Sequence, residues 1–204
     1  MKIRFSAPGM LGGLLAFSIS VAVAAEAPPG GERMFQARGC RQCHALHGEK
    51  GRPGPPVERL RRDQGLGEFS ARLWNHLPAM RITARQRAAT WPRMTAQDIG
   101  ELAAYLGVHA DADPRPNLQR GQFLLVDRGC LKCHALADEG ATIGPDLSKY
   151  KSYDQPLAWV AAMWNHGVAM LDQATRRGIP FPVLSARDMV DLLGFLSAYK
   201  DTRP

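Results

Sequence analysis

Two stretches of the chain carry the same helical period of apolar residues. Ile99, Leu102, Ala103 and Leu106 recur at i, i+3, i+4 and i+7, and Met189, Leu192, Leu193 and Leu196 repeat the pattern. Each set predicts a helix with one apolar face. Thr95 with Asp98, and Ser185 with Asp188, stand just ahead of these runs at capping-box spacing, with Asp in place of the usual Glu. Shorter helical segments are expected around residues 33–38 and 123–128, and middle helices around Trp74 and Trp164. Gly/Pro-rich loops, GEKGRPGPP at 48–56 and EGATIGP at 139–145, fall between them. No segment sustains a period of two, so strands are not required and the expected fold class is all-α.

These paired elements belong to a duplication. At an offset of 90 residues, positions 31–106 and 121–196 agree at 24 of 76 places without a gap. Such a period is too long for a solenoid and suits a duplicated domain. Between the copies, VHADADPRPN (108–117) is polar with two prolines, as a linker should be. The expected domains are therefore 26–113 and 114–204. Residues 1–25 are set apart from both: Lys2 and Arg4, an apolar run from about Met10 to Val23, then Ala24 and Ala25 have the layout of a secretory signal peptide. The apolar run falls short of the ~20 residues a spanning helix needs. An exported, periplasmic protein with no stable membrane span after cleavage is expected.

Composition narrows the partners. At 45% hydrophobic and 22% charged, the chain is neither disordered nor collagen-like, but 7% aromatics would leave two compact cores thin. The formal charge of +7 becomes +5 once Lys2 and Arg4 leave with the signal peptide. Basic residues gather along Arg52–Arg62 and Arg81–Arg93. They form either a solvated face or a docking surface for an acidic patch on a redox partner. Export argues against nucleic acid.

The four cysteines carry the chemistry. Cys40-Arg41-Gln42-Cys43-His44 and Cys130-Leu131-Lys132-Cys133-His134 are both C-x-x-C-H, the spacing of covalent haem attachment. Cys40 and Cys43, and again Cys130 and Cys133, would form thioethers to the two vinyl groups of one haem c, with His44 or His134 as proximal iron ligand. A zinc site would bring its ligand pairs closer than 90 residues, and a redox dithiol does not need the following His. Two haems would use every cysteine, leaving none for disulfides, and would fill the aromatic-poor cores.

With these motifs the chain resembles the class I c-type cytochromes, twice over and across nearly all of its length after residue 25. The resemblance implies two tandem cytochrome c domains, each wrapped around one haem. It implies that Pro55 and Pro145, in Gly54-Pro55 and Gly144-Pro145, offer a carbonyl to the proximal His. Gly31 and Phe35 would pack against Tyr105, as Gly121 and Leu125 would against Phe195. A distal Met is also implied. Met80 and Met170 each lie 36 residues past their proximal His and end the phrase W-N-H-x-x-A-M. Met94 is a rival, but its counterpart is Leu184. His76 and His166, four residues before each Met, compete for the same position. The phrase departs from the family's usual Met followed closely by Pro. Trp74 and Trp164 are read either as core packing or as indole donors to a haem propionate. The implied function is electron transfer between a respiratory or dehydrogenase donor and a terminal acceptor. Two further readings stand beside it: a small diheme oxidoreductase (a peroxidase or sulfur-compound dehydrogenase), and an electron-transfer subunit of a larger complex. Differences between the copies, Pro78 against Val168 and Trp91 against Phe181, suggest unequal potentials.

Overall fold

The computed structural model describes residues 30–46, 48–50, 52–60 and 63–201. The signal-peptide reading, and Arg61 and Arg62 of the basic run, lie outside the described residues. Among those described, six helices form in two runs of three: α1 (Gly30–Ala37), α2 (Leu66–Gln86) and α3 (Ala96–Tyr105), then α4 (Leu118–Asp127), α5 (Pro156–Arg176) and α6 (Ala186–Asp201). The period-3.6 runs fall on α3 and α6, and the W-N-H phrases on the two 21-residue helices α2 and α5.

In each half the first helix packs on the last, α1 on α3 and α4 on α6. Glycine makes the approach possible. A Cβ on Gly31 would lie 2.3 Å from Tyr105 Cβ, and one on Gly121 would lie 2.1 Å from the Asp191 carbonyl oxygen and 2.6 Å from Phe195 Cβ. Phe35 and Leu125 are buried beside these crossings. Both last helices open on reciprocal capping boxes. The Asp98 N–H donates to Thr95 Oγ1 at 3.1 Å, and the Thr95 N–H donates to Asp98 Oδ2 at 2.7 Å. Ser185 and Asp188 exchange the same pair at 3.0 and 3.1 Å. Each capping aspartate also anchors a residue just ahead of the cysteine motif: Arg38 reaches Asp98 at 2.6 Å and Arg128 reaches Asp188 at 3.3 Å.

The linker is tied down at both ends. Val108 bridges to Gln64, and the Asp113 carboxylate accepts the Gly67 N–H at 3.0 Å, satisfying a donor at the start of α2. On the other side, Asn117 caps α4 through the Arg120 N–H at 3.0 Å and donates its own N–H to Asp191 at 2.7 Å.

The halves meet along α2 and α5, with α6 against α2 and α3 against α5. Fully buried Leu77 of α2 fills a notch left by Gly167 of α5, where a Cβ would stand 2.2 Å from Leu77 Cδ1. Residues 77 and 167 are equivalent positions of the repeat, so one side chain occupies a place that two could not share. Arg85 and Arg81 of α2 reach across to Asp172 of α5 at 3.1 and 3.5 Å. One departure from an all-α chain is a two-stranded hairpin of two residues each, β1 (Ala135–Leu136) with β2 (Glu139–Gly140). Its turn residues Ala137 and Asp138 both have positive φ, 51° and 70°, and Asp146 Oδ1 and Oδ2 accept their N–H groups. Among the described residues, no helix is long and apolar enough to cross a membrane.

Candidate functional site

The cysteine motif sits on a sharp turn out of the first helix of each half. Gly39 and Gly129 take left-handed φ values of 74° and 71°, turning the chain into a single 3-10 turn at Cys40–Gln42 and Cys130–Lys132. The His44 and His134 N–H groups close these turns on the Cys40 and Cys130 carbonyls at 3.0 and 2.9 Å. Both rings are then fixed from the far side of the Gly-Pro loop. His44 Nδ1 donates to the Pro55 carbonyl at 3.0 Å, and His134 Nδ1 to the Pro145 carbonyl at 2.8 Å. A carbonyl can only accept, so Nδ1 carries the proton and the Nε2 lone pair is left to ligate. Gly54 and Gly144 lie against these rings, where a Cβ would come within 2.6 and 2.5 Å of the imidazole Cε1.

Each motif opens onto a mainly apolar cleft, about 890 Å³ in the first half and about 1280 Å³ in the second, open mouths included. Cys40 and His44 stand on the wall of the first, among Phe35, Val57, Phe69, Ile99 and Leu102. Cys130, Cys133 and His134 stand on the wall of the second. Met80 and His76 of α2 share the first wall, and Met170 and His166 of α5 share the second. Met94 is also on the first wall, and Leu184 holds the matching place in the second. Burial pushes the Cys40 and Cys130 thiols up to about 11. This is the reverse of the lowered pKa a redox dithiol relies on. Cys40 lines the first cleft and Cys130 and Cys133 the second, while Cys43 is not on the first cleft's wall, and no three His, Cys, Asp or Glu side chains among the described residues come together as a metal-ion cage.

The family model for cytochrome c matches residues 30–108. This segment is a cytochrome c domain. No curated protein and no solved structure matches the chain. A cytochrome c domain implies a covalently bound haem c and haem-based electron transfer. The donor set fits that group: two thiols, an imidazole with its Nδ1 already bonded, and a mainly apolar cleft on whose wall Cys40 and His44 stand. In the cytochrome c domain Cys40, Cys43 and His44 would hold the haem.

The tryptophans of the W-N-H phrase have partners that correct the propionate reading. Trp74 Nε1 donates to the Pro182 carbonyl at 2.7 Å, and Trp164 Nε1 to the Pro92 carbonyl at 2.7 Å. Each indole is bonded to the backbone of the opposite half. Trp74 stacks on Phe181 with ring centroids 4.4 Å apart, and Trp164 stacks on Trp91 at 4.5 Å. Asn75 and Asn165 complete the exchange. Asn75 pairs with both the N–H and the carbonyl of Leu184 at 3.0 and 2.8 Å, and Asn165 with those of Met94 at 2.9 and 2.8 Å. Sequence reasoning missed Pro92 and Pro182 as partners. They are an identical pair of the repeat, but nothing local to them names an acceptor of a distant indole.

Proposed function

We propose that the chain is a two-haem c-type cytochrome whose second half, residues 114–204, is a second cytochrome c domain, and that it carries electrons between redox proteins outside the cytoplasm. The observation that carries this reading is the repetition of a whole site. Cys130, Cys133, His134, Gly144 and Pro145 reproduce the first-half arrangement, down to the 2.8 Å bond from His134 Nδ1 to the Pro145 carbonyl. A bound haem supplies a one-electron iron couple. Around it, the cysteines hold the ring edge, the Pro carbonyls fix the imidazoles and raise their basicity, and the apolar walls exclude water. Met80 and Met170 are assigned as distal ligands.

Partners are assigned by charge. Arg81 and Arg85 are turned to Asp172, and Arg41 and Arg52 to Glu49. Arg59, Arg87 and Arg93 are exposed and supply the positive face for an acidic redox partner, whose association should slow with added salt.

The test is haem stoichiometry with the absorption spectrum of the ferric protein matured in a haem-attaching host. Two haems per chain are expected, with a weak far-red iron–methionine band that falls stepwise in Met80→Ala and Met170→Ala. One haem per chain overturns the second site. A missing band overturns the ligand assignment, and native binding of carbon monoxide or cyanide would then favour an oxidoreductase.

A further inference from the structure

The two clefts are not each closed by their own half. Among the described residues, the wall of the first cleft includes Trp164 and not Trp74, while the wall of the second includes Trp74 and not Trp164. The loops behind them are held the same crossed way. Asn165 brackets the backbone of Met94, whose buried side chain lines the first cleft, and Asn75 brackets that of Leu184, which lines the second. The two indoles also line one small void at the contact between halves, together with Leu77 and Met163.

We infer that control of the two sites is crossed: Trp164 and Asn165 are positioning residues for the group held at Cys40 and Cys43, and Trp74 and Asn75 for the group held at Cys130 and Cys133. This rests on the two-haem reading for its second arm only, because the first cleft belongs to the cytochrome c domain on its own evidence. The physical basis is water exclusion. Ferric haem carries one more positive charge than ferrous haem, so a wall that keeps water out favours the reduced state. Removing an indole from a wall admits water and lowers the potential of the haem behind that wall. Residue 164 would therefore tune a haem attached about 120 residues before it in the chain, with smaller effect on the one attached about 30 residues before it. The bracketed loop adds to this, since Asn165 decides where the Met94 side chain lies.

The experiment is a redox titration of the haem-loaded protein, read site by site from haem-methyl NMR lines assigned with Met80→Ala and Met170→Ala. Trp164→Ala should lower the midpoint potential at the Cys40–Cys43 site and leave the other nearly unmoved, and Trp74→Ala should do the converse. Trp164→Phe, Trp74→Phe and Asn165→Ala, which keep most of the packing, should give smaller shifts in the same crossed sense and decide the matter if an alanine variant fails to fold. Shifts confined to the haem of the substituted half, or absent in folded variants, would overturn the inference. The haem count is read separately. One haem per chain ends the two-haem reading, while Trp164→Phe still supports or overturns the crossed control of the haem at Cys40–Cys43.

Discussion

His44 and His134 each lie against a glycine, and the contact leaves no room for a side chain. A Cβ at Gly144 would press within 2.5 Å of His134 Cε1 and 2.7 Å of its Nδ1, and Gly54 faces His44 in the same way at 2.6 Å. Gly144→Ala should therefore push the ring off the Pro145 carbonyl and, on the two-haem proposal, cut haem retention at the Cys130–Cys133 site. Haem content per chain measures this, and full retention with an unchanged spectrum would contradict it. Buried carboxylates set a second property, the response to acid. Burial pushes the Asp188 and Asp191 carboxyls up, but backbone N–H donors (Ser185 to Asp188, Asn117 to Asp191) and the Arg120 guanidinium outweigh it, so both lie below the ordinary value. A carboxyl lowered in the fold binds fewer protons folded than unfolded. Its stabilisation is complete above the unfolded value of about 3.9 and is lost as pH falls through the lower folded value. Acid melts should therefore show stability dropping below about pH 4, and Asp188→Asn should flatten that drop while lowering stability at pH 7. Arg120→Ala, which strips both carboxylates of a partner, should cost about 2 kcal/mol, less than for a fully buried pair because the guanidinium is itself partly solvated.

Helix packing turns on a single missing atom. The Cβ of a Gly121→Ala variant would meet the Asp191 carbonyl, which is backbone and cannot swing aside, so α4 must move off α6. The expected cost is about 1–3 kcal/mol, read from denaturant midpoints; a neutral result would mean the helices sit farther apart. This crossing was legible in the sequence, because Gly31 and Gly121 are a repeat pair and the apolar faces of α3 and α6 are set by period. The capping boxes were legible for the same local reason. The hairpin at Ala135–Gly140 was not: its turn is Ala137-Asp138, with no Asn-Gly or Gly-Gly to announce positive φ. It is held instead by Asp146, whose carboxyl Ser148 and the Asp138 and Ala137 N–H groups keep at about 2. Nor could the W-N-H phrase be resolved locally. Its acceptors lie 108 and 72 residues away from Trp74 and Trp164, so their pairing exists only once α2 and α5 cross.

Between the two halves, duplication raises a packing problem that the chain solves by breaking its own repeat. Where two equivalent helices cross, equivalent side chains are driven toward the same point. Leu77 takes that point and Gly167 yields it. Gly167→Leu would place a second side chain on the Leu77 methyl, forcing α2 and α5 apart and straining the Trp and Asn exchanges beside them, at about 1–3 kcal/mol. Leu77→Gly alone would empty the point at about 2–5 kcal/mol, the range for truncating a buried leucine. The double variant Leu77→Gly with Gly167→Leu again fills the point once, from the opposite side, so it should be more stable than the sum of the two losses allows. A double-mutant cycle on thermal unfolding measures that coupling. Additive losses would show that residues 77 and 167 do not share one site.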